Sequence, residues 1–221
     1  MRYIASVSFG KDSLAMLLKL LEEHAPLDEV VFYDTGMEFS QIYEIRDKIK
    51  PILESNNIKF IELQPKRSFL DSMINYPHLS KKGILKSGYG WCGGLCRWGT
   101  TEKLKALNKY CKDALVYVGI AYDEKQRLER LGYKKVSPLE YWHMTEKDCL
   151  NYCYSKGYDW GGLYKYLDRV SCWCCRNKNL KELANIHEFM PEYFEKLVNL
   201  ENKIGEPMKK PKFLKDRFGG C

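Results

Sequence analysis

No stretch of this 221-residue chain is long and apolar enough to cross a membrane as a helix, so an integral-membrane protein is not expected. The opening residues read as a strand, not as a charged and then apolar secretory leader. The expectation is therefore a cytoplasmic protein whose nine cysteines do not make a disulfide framework. The common P-loop is missing too, since it needs a glycine, four residues, then Gly-Lys-Ser/Thr, and only Gly10 is in place. No helix-turn-helix, RNA-binding signature or internal repeat is present. Charge of one sign is not extreme: 36 Lys and Arg stand against 29 Asp and Glu, a net of +7. That balance suits nucleotides, nucleic acid or other anions without selecting among them.

What is present alternates between strand formers and helical periodicity. Tyr3-Ile4-Ala5-Ser6-Val7 predicts a strand that stops at Ser8-Phe9-Gly10-Lys11-Asp12-Ser13, after which Leu14, Leu17, Leu18 and Leu21 recur at helical spacing. Residues 29–33 predict a second strand ending at Asp34-Thr35-Gly36. A helix from about Ser40 carries Ile42, Ile45, Ile49, Ile52 and Leu53 on its apolar face, and Pro51 is expected to kink it. Residues 58–63, 114–119 and 135–137 predict further strands, with a helix at 100–110 between the first two of these. This order implies a Rossmann-like, doubly wound, mainly parallel α/β sheet. Thr145 with Asp148 marks a helix start, residues 162–167 predict a helix, and two C-terminal helices follow, the later opened by Pro191. Regularity breaks down over 64–98 apart from a short helix near 69–74, and residues 76–90 read as loop. The Pro- and Lys-rich tail from Gly205 reads as loosely held.

A strand that runs through a small polar turn into a helix is an anion-binding geometry, because the first helical N–H groups lack internal partners. Gly10 lets backbone approach a ligand, Ser8 and Ser13 offer hydroxyls, and Lys11 offers a cation. Asp12 is either a helix-cap carboxylate or a magnesium ligand. In an open parallel sheet ligands sit outside the carboxyl ends of the strands. The other strand ends carry Asp34, Thr35 and Gly36, then Gly119 with Asp123, Glu124 and Arg127.

These segments carry a resemblance. The first turn resembles the pyrophosphate loop of the adenine-nucleotide α-hydrolase superfamily, Ser-Gly-Gly-x-Asp-Ser, with Phe9 in place of the first glycine. Asp34-Thr35-Gly36-Met37-Glu38-Phe39 is similar to the Asp-Thr-Gly-x-Glu-Phe motif of the phosphoadenosine phosphosulfate (PAPS) reductase family. Residues 119–127 are similar to its Gly-Ile-Arg-x-Asp-Glu-x-x-Arg, and Pro138-Leu139 through Asp148 to its Pro-Leu-x-x-Trp-Thr-x-x-Asp. Two departures stand out. Ala121 replaces a common arginine, and Lys11-Asp12-Ser13 resembles relatives that split ATP between the α and β phosphates. The family's catalytic-cysteine motif is only faintly echoed by Gly219-Gly220-Cys221.

Five cysteines form two knots, Cys92 with Cys96 and Cys172 with Cys174 and Cys175, whereas Cys111, Cys149 and Cys153 fall in helical segments as core thiols. Thiolates converging from two loops hold zinc or an iron–sulfur cluster, and the spacing leaves both open. In an extended chain 174 and 175 point apart and 172 shares a face with 174; a turn brings 172 to 175. Arg176-Asn177-Lys178-Asn179 favours the turn. The leading ligand set is therefore Cys92, Cys96, Cys172 and Cys175, with Cys174 as the alternate.

The expectation is two regions. Residues 1–175 make the nucleotide-binding α/β domain with its cysteine-metal lobe, and 176–221 make C-terminal helices and a basic tail. The resemblance implies an enzyme that binds ATP with magnesium and forms an adenylated acceptor and pyrophosphate, followed by sulfur transfer. In that reading the loop from Phe9 to Ser13 and Lys11 stabilise pyrophosphate, Asp12 ligates magnesium, Asp34 lies near ribose or metal, and Asp123, Glu124 and Arg127 border the acceptor. One alternative is a true PAPS reductase with Cys221 as nucleophile and a thioredoxin-like reductant. The other is a zinc-stabilised binding module for nucleotide or nucleic acid, in which Lys81, Lys82, Lys134, Lys135, Lys209, Lys210, Lys212, Lys215 and Arg217 follow a nucleic-acid backbone.

Overall fold

The computed structural model describes residues 1–80, 82–92 and 94–219. Lys81, Gly93, Gly220 and Cys221 lie outside the described residues, and with them the expectations placed on Lys81 and Cys221. In chain order the first elements are β1 (Arg2–Ser6), α1 (Lys11–Glu22), β2 (Glu29–Tyr33), α2 (Ser40–Ser55), β3 (Lys59–Leu63) and α3 (Phe69–Ile74). Then come β4 (Pro77–Leu79), β5 (Leu85–Ser87), a π-helical turn (Arg97–Glu102), α4 (Lys103–Tyr110), β6 (Ala114–Val118), α5 (Lys125–Leu128) and β7 (Lys135–Val136). The last are α6 (Pro138–Tyr141), α7 (Glu146–Ser155), a 3-10 segment (Trp160–Lys165), α8 (Leu180–Phe189), α9 (Pro191–Ile204) and α10 (Leu214–Phe218).

The chain forms two compact units that are discontinuous in sequence. One holds Met1–Asp34, Phe39–Gln64 and Lys103–Gly161; the other holds Thr35–Glu38, Pro65–Glu102 and Gly162–Cys221. This division differs from a boundary after Cys175. Both cysteine knots group with the C-terminal helices, because α9 packs on α3 and the tail folds back against α9.

The first unit is the sheet, in order β3-β2-β1-β6-β7 with every pair parallel. β2 is buried at all five residues, which is why Val30-Val31-Phe32-Tyr33 reads as a continuous apolar run. β1 is central, flanked by β2 and β6, so the strand order reverses there and the ligand crevice of such a sheet falls at its carboxyl end. α1 buries Leu14, Ala15, Met16, Leu17 and Leu20, and α7 packs along it through Cys149 and Cys153. α2 buries Ile42, Ile45, Ile49 and Leu53 and continues through Pro51 to Ser55.

In the second unit three expectations are corrected. Residues 76–90 are not all loop: β4 and β5 pair antiparallel, closed by Ser80 N–H to the Ile84 carbonyl at 2.8 Å. Their Pro, Lys and Gly content masks strands this short. The segment expected as a helix at 162–167 lies largely in a 3-10 segment over Trp160–Lys165, and the positive φ of Trp160, Gly161 and Gly162 keeps a right-handed α-helix from starting there. The tail is not loose. The Glu201 carboxylate, 1% exposed, accepts from the N–H groups of Met208 at 2.6 Å and Leu214 at 2.7 Å, and both side chains are fully buried. No helix among the described residues is long and apolar enough to cross a membrane.

Candidate nucleotide loop and cysteine site

The turn after β1 is fixed before any ligand arrives. Ser13 Oγ donates to the Gly10 carbonyl and accepts from Ser8 N–H, each at 3.1 Å, while Leu14 N–H makes the first helical bond to Gly10 at 2.9 Å. α1 has no side-chain cap at Gly10, which leaves its first N–H groups to the loop. Phe9 sits at φ +58°, a conformation that costs a bulky residue roughly 1–2 kcal/mol. That φ is a physical reason for the glycine in the motif this turn resembles. Here the ring is fully buried, edge-on to Phe32 at 5.2 Å, and the buried Trp160 indole N–H donates to the Phe9 carbonyl at 2.8 Å. Gly119, at the end of β6, closes the other side. A Cβ there would lie 2.6 Å from Ser13 Cα, so only glycine lets the two backbones meet.

Lys11, 8% exposed, bonds Asp12 at 3.1 Å and Glu146 at 2.6 Å. Burial draws its pKa down, but Asp12 and Glu146 outweigh burial and hold it above the ordinary lysine value. Burial pushes Asp12 up to about 6 against the pull of Lys11, and Glu146 and Glu124 add to the rise. Glu146 was not singled out in sequence; its only signal is its place as the first acid of α7. Asp123 accepts from Glu146 N–H at 3.0 Å, and Glu124 pairs with Arg127. Asp34 accepts from the Tyr43 hydroxyl at 2.7 Å. Ser8 to Ser13, Gly119, Asp123, Glu124, Arg127 and Asp34 thus all belong to the sheet unit, whereas Thr35 and Gly36 belong to the other.

All five clustered cysteines fall in the second unit. Cys96 caps the π-helical turn with its sulfur, Sγ accepting from Gly99 N–H at 3.3 Å. The bond from the Cys92 thiol holds Cys96 below the ordinary thiol value despite burial, with the Gly99 and Trp98 N–H groups assisting, and the same bond raises Cys92. Cys175 N–H bonds the Cys172 carbonyl and Lys178 N–H bonds the Cys175 carbonyl, both at 3.1 Å, so two successive turns occupy 172–178. Asn177 Nδ2 reaches the Gly94 carbonyl at 3.2 Å and ties the two knots together.

Cys174 is buried, with its thiol raised by burial and by Cys175, Glu38 and Cys96 around it. The Cys172 sulfur lies 3.6 Å from Thr35 Oγ1 and 3.7 Å from Glu38 Oε1, and burial raises its thiol with Glu38, Cys174 and Cys175 adding to the rise. Lys178, 3% exposed, lies among Cys172, Cys174, Cys175 and Glu182; burial lowers its pKa and those neighbours oppose the shift. Among the described residues no three His, Cys, Asp or Glu side chains stand ready-made as a metal-holding group. In kind, several soft sulfur donors on two tight turns, with N–H groups aimed at one of them, suit zinc or an iron–sulfur cluster.

Known proteins bear on this arrangement in three ways. Two uncharacterised proteins of Methanocaldococcus jannaschii are similar in sequence. MJ0066 is 28% identical over 212 residues, covering 92% of this chain and 42% of its own length. MJ0973 is 27% identical over 214 residues, covering 90% and 47%. The chain therefore spans less than half the length of these relatives. In structure it is similar to the U34-tRNA thiolase NcsA of Methanococcus maripaludis, solved with its [4Fe-4S] cluster. The TM-score is 0.51 over 96% of this chain and 74% of that one, and at 15% identity this is a likeness of fold. The sequence pattern of the phosphoadenosine phosphosulfate reductase domain matches residues 2–178, from β1 past the second cysteine knot, and so takes in the loop, the strand ends and both knots. With most of its length accounted for in this way, the chain belongs to the phosphoadenosine phosphosulfate reductase domain family.

Proposed function

We propose that this protein binds Mg–ATP at the Ser8–Ser13 turn and cleaves it between the α and β phosphates to activate an acceptor for sulfur transfer. The observation that carries the reading is Lys11, buried and held by two carboxylates at the opening of α1 beside a strained turn pinned by the Ser13 hydroxyl. An acceptor oxygen attacks the α phosphorus. The bond from that phosphorus to the bridging oxygen breaks, and its electron pair leaves on pyrophosphate. Lys11 and the N–H groups of the turn stabilise that charge, Asp12 holds magnesium, and Asp34 faces ribose or metal. Asp123, Glu124 and Arg127 border the acceptor. A sulfide-level nucleophile from a sulfur donor then attacks the activated acceptor, and the bond from the acceptor to the phosphate oxygen breaks with AMP as leaving group; a thioredoxin-like reductant belongs to the PAPS reductase alternative.

Cys92, Cys96, Cys172 and Cys175 are the proposed ligands, with Cys174 as the alternate; the turn closed by Cys175 N–H on the Cys172 carbonyl supports pairing 172 with 175. A [4Fe-4S] cluster held by three of these thiolates would leave one iron free to take up sulfur from a donor, whereas a cluster or a zinc ion held by all four would supply only a crosslink. NcsA, which carries such a cluster on the same fold, supports the iron–sulfur choice.

The test is an anaerobic preparation given α-labelled ATP with magnesium or, separately, labelled PAPS with thioredoxin. AMP and pyrophosphate from ATP, with iron and acid-labile sulfide in the protein, are expected. Sulfite from PAPS without ATP cleavage would instead establish the reductase, in keeping with the family's name. One zinc per chain and no turnover of either nucleotide would refute both enzymes.

A further inference from the structure

We propose that the β4–β5 ribbon and the arginines stacked beside it form a docking surface for single-stranded nucleic acid. Residues 65–102 hold six Lys and Arg against two Asp and Glu, a net of +4 within a chain whose total is +7. Two of these cations, Arg67 and Arg97, are ordered by aromatic rings. Arg97, exposed, lies over the Tyr89 ring at 4.0 Å, and Arg67 lies over Tyr76 at 4.6 Å with its guanidinium paired to Asp71 at 2.9 Å. His78 stacks on Tyr89 at 4.2 Å, and Tyr76 stacks on Tyr89 at 5.4 Å.

The register extends this stack. His78 faces Lys86 across the ribbon, so Lys86 places its charge beside the rings, while Leu79 and Leu85 pair at the next position and stay 69% and 71% exposed. Lys82 follows at the exposed tip.

A guanidinium lying on a ring offers its outer plane as a platform for an unstacked base and its edge to phosphate. Because the ring already holds it, less side-chain entropy is lost when a ligand binds. A duplex hides its base faces and an acidic peptide has none, so the alternation of rings and cations fits a single strand. In the basic tail Lys209 donates to the Arg176 carbonyl and Arg217 to the Lys209 carbonyl, which commits these two heads internally, while Lys210, Lys212 and Lys215 are exposed. In its role as acceptor the nucleic acid rests on the ATP-cleaving reading; the binding surface does not.

The test is fluorescence anisotropy of a labelled single-stranded oligonucleotide, as RNA and as DNA, against the full chain without ATP. Four cations, Arg67, Lys82, Lys86 and Arg97, give a log–log salt slope of about −3, a weakening of about fifty-fold between about 50 and 200 mM salt. Replacing Arg67 and Arg97 together by Ala should lower that slope by about 1.4, with the unfolding temperature retained. Arg97→Lys should keep the slope and lose affinity at high salt, because the planar platform is gone.

Absence of binding to both strands at low salt overturns the proposal. So does a slope that these variants leave unchanged, or equal competition by duplex or by polyglutamate. A chain that binds Mg–ATP but neither oligonucleotide refutes this surface and leaves the nucleotide reading standing. Oligonucleotide binding through these residues without ATP binding does the reverse.

Discussion

Trp160→Phe tests whether the nucleotide loop is held ready by a bond from outside it. The substitution keeps a ring in the buried site and removes the N–H that donates to the Phe9 carbonyl at 2.8 Å. Leaving that carbonyl without its partner costs about 1–3 kcal/mol. The left-handed conformation of Phe9 separately costs roughly 1–2 kcal/mol, so the two are of one size and the bond decides whether the strained conformer dominates. When only a fraction of molecules holds the competent loop, apparent affinity falls by that fraction. At about 1.4 kcal/mol per tenfold, Mg–ATP affinity measured by calorimetry should fall about five- to twentyfold. Unfolding should shift by only about 2–4 °C for each kcal/mol lost. Phe9→Gly removes the strain, so adding it to Trp160→Phe should recover much of the lost affinity even as the emptied ring site lowers stability. Unchanged ATP affinity in Trp160→Phe, or a double variant in which the two losses simply add, would refute the reasoning and leave Trp160 a core residue only.

Other outcomes follow from single contacts. Gly119→Ala places a Cβ 2.6 Å from Ser13 Cα, and overpacking of this kind costs about 1–3 kcal/mol, seen as a lower denaturation midpoint together with weaker ATP binding. Glu201→Ala strips the acceptor from two buried N–H groups, so stability should fall by about 2–4 kcal/mol and limited trypsin should cut first at the exposed Lys212 or Lys215. For pH, Asp12 is raised from 3.8 to about 6, so the folded chain keeps this proton when the unfolded chain has lost it. Stability of the metal-free protein should therefore decline as pH rises from about 4 to about 6 and level off above, by about 3 kcal/mol at most, and Asp12→Asn should flatten that limb in urea titrations.

The sheet was legible because its strands are short apolar runs and each ends in small or charged residues; Val30 to Tyr33 followed by Asp34 is the clearest case. The turn at 172–175 was legible from the Arg-Asn-Lys-Asn that follows it. Partners distant in sequence were not. Nothing near Lys11 points to Glu146, 135 positions away, and Glu146 alone is an ordinary helix-start acid. Glu201 reads as surface charge on an amphipathic helix, and its burial becomes visible only once the tail folds over it. The ribbon was hidden by Pro77 and Gly83, which usually mark turns and here begin a strand and close its hairpin. Phe9 gave no warning of its positive φ except through a motif that has glycine in that place.

The most direct measurement is a calorimetric titration of Mg–ATP into the intact protein and into Lys11→Ala. The account predicts about one ATP bound per chain, and binding weaker by about ten- to a hundredfold in the variant, from the loss of a charged contact of about 1.5–3 kcal/mol, with the fold retained. Absence of binding in the intact protein, or equal affinity in the two, would contradict the claim that the turn from Ser8 to Ser13 holds the phosphates.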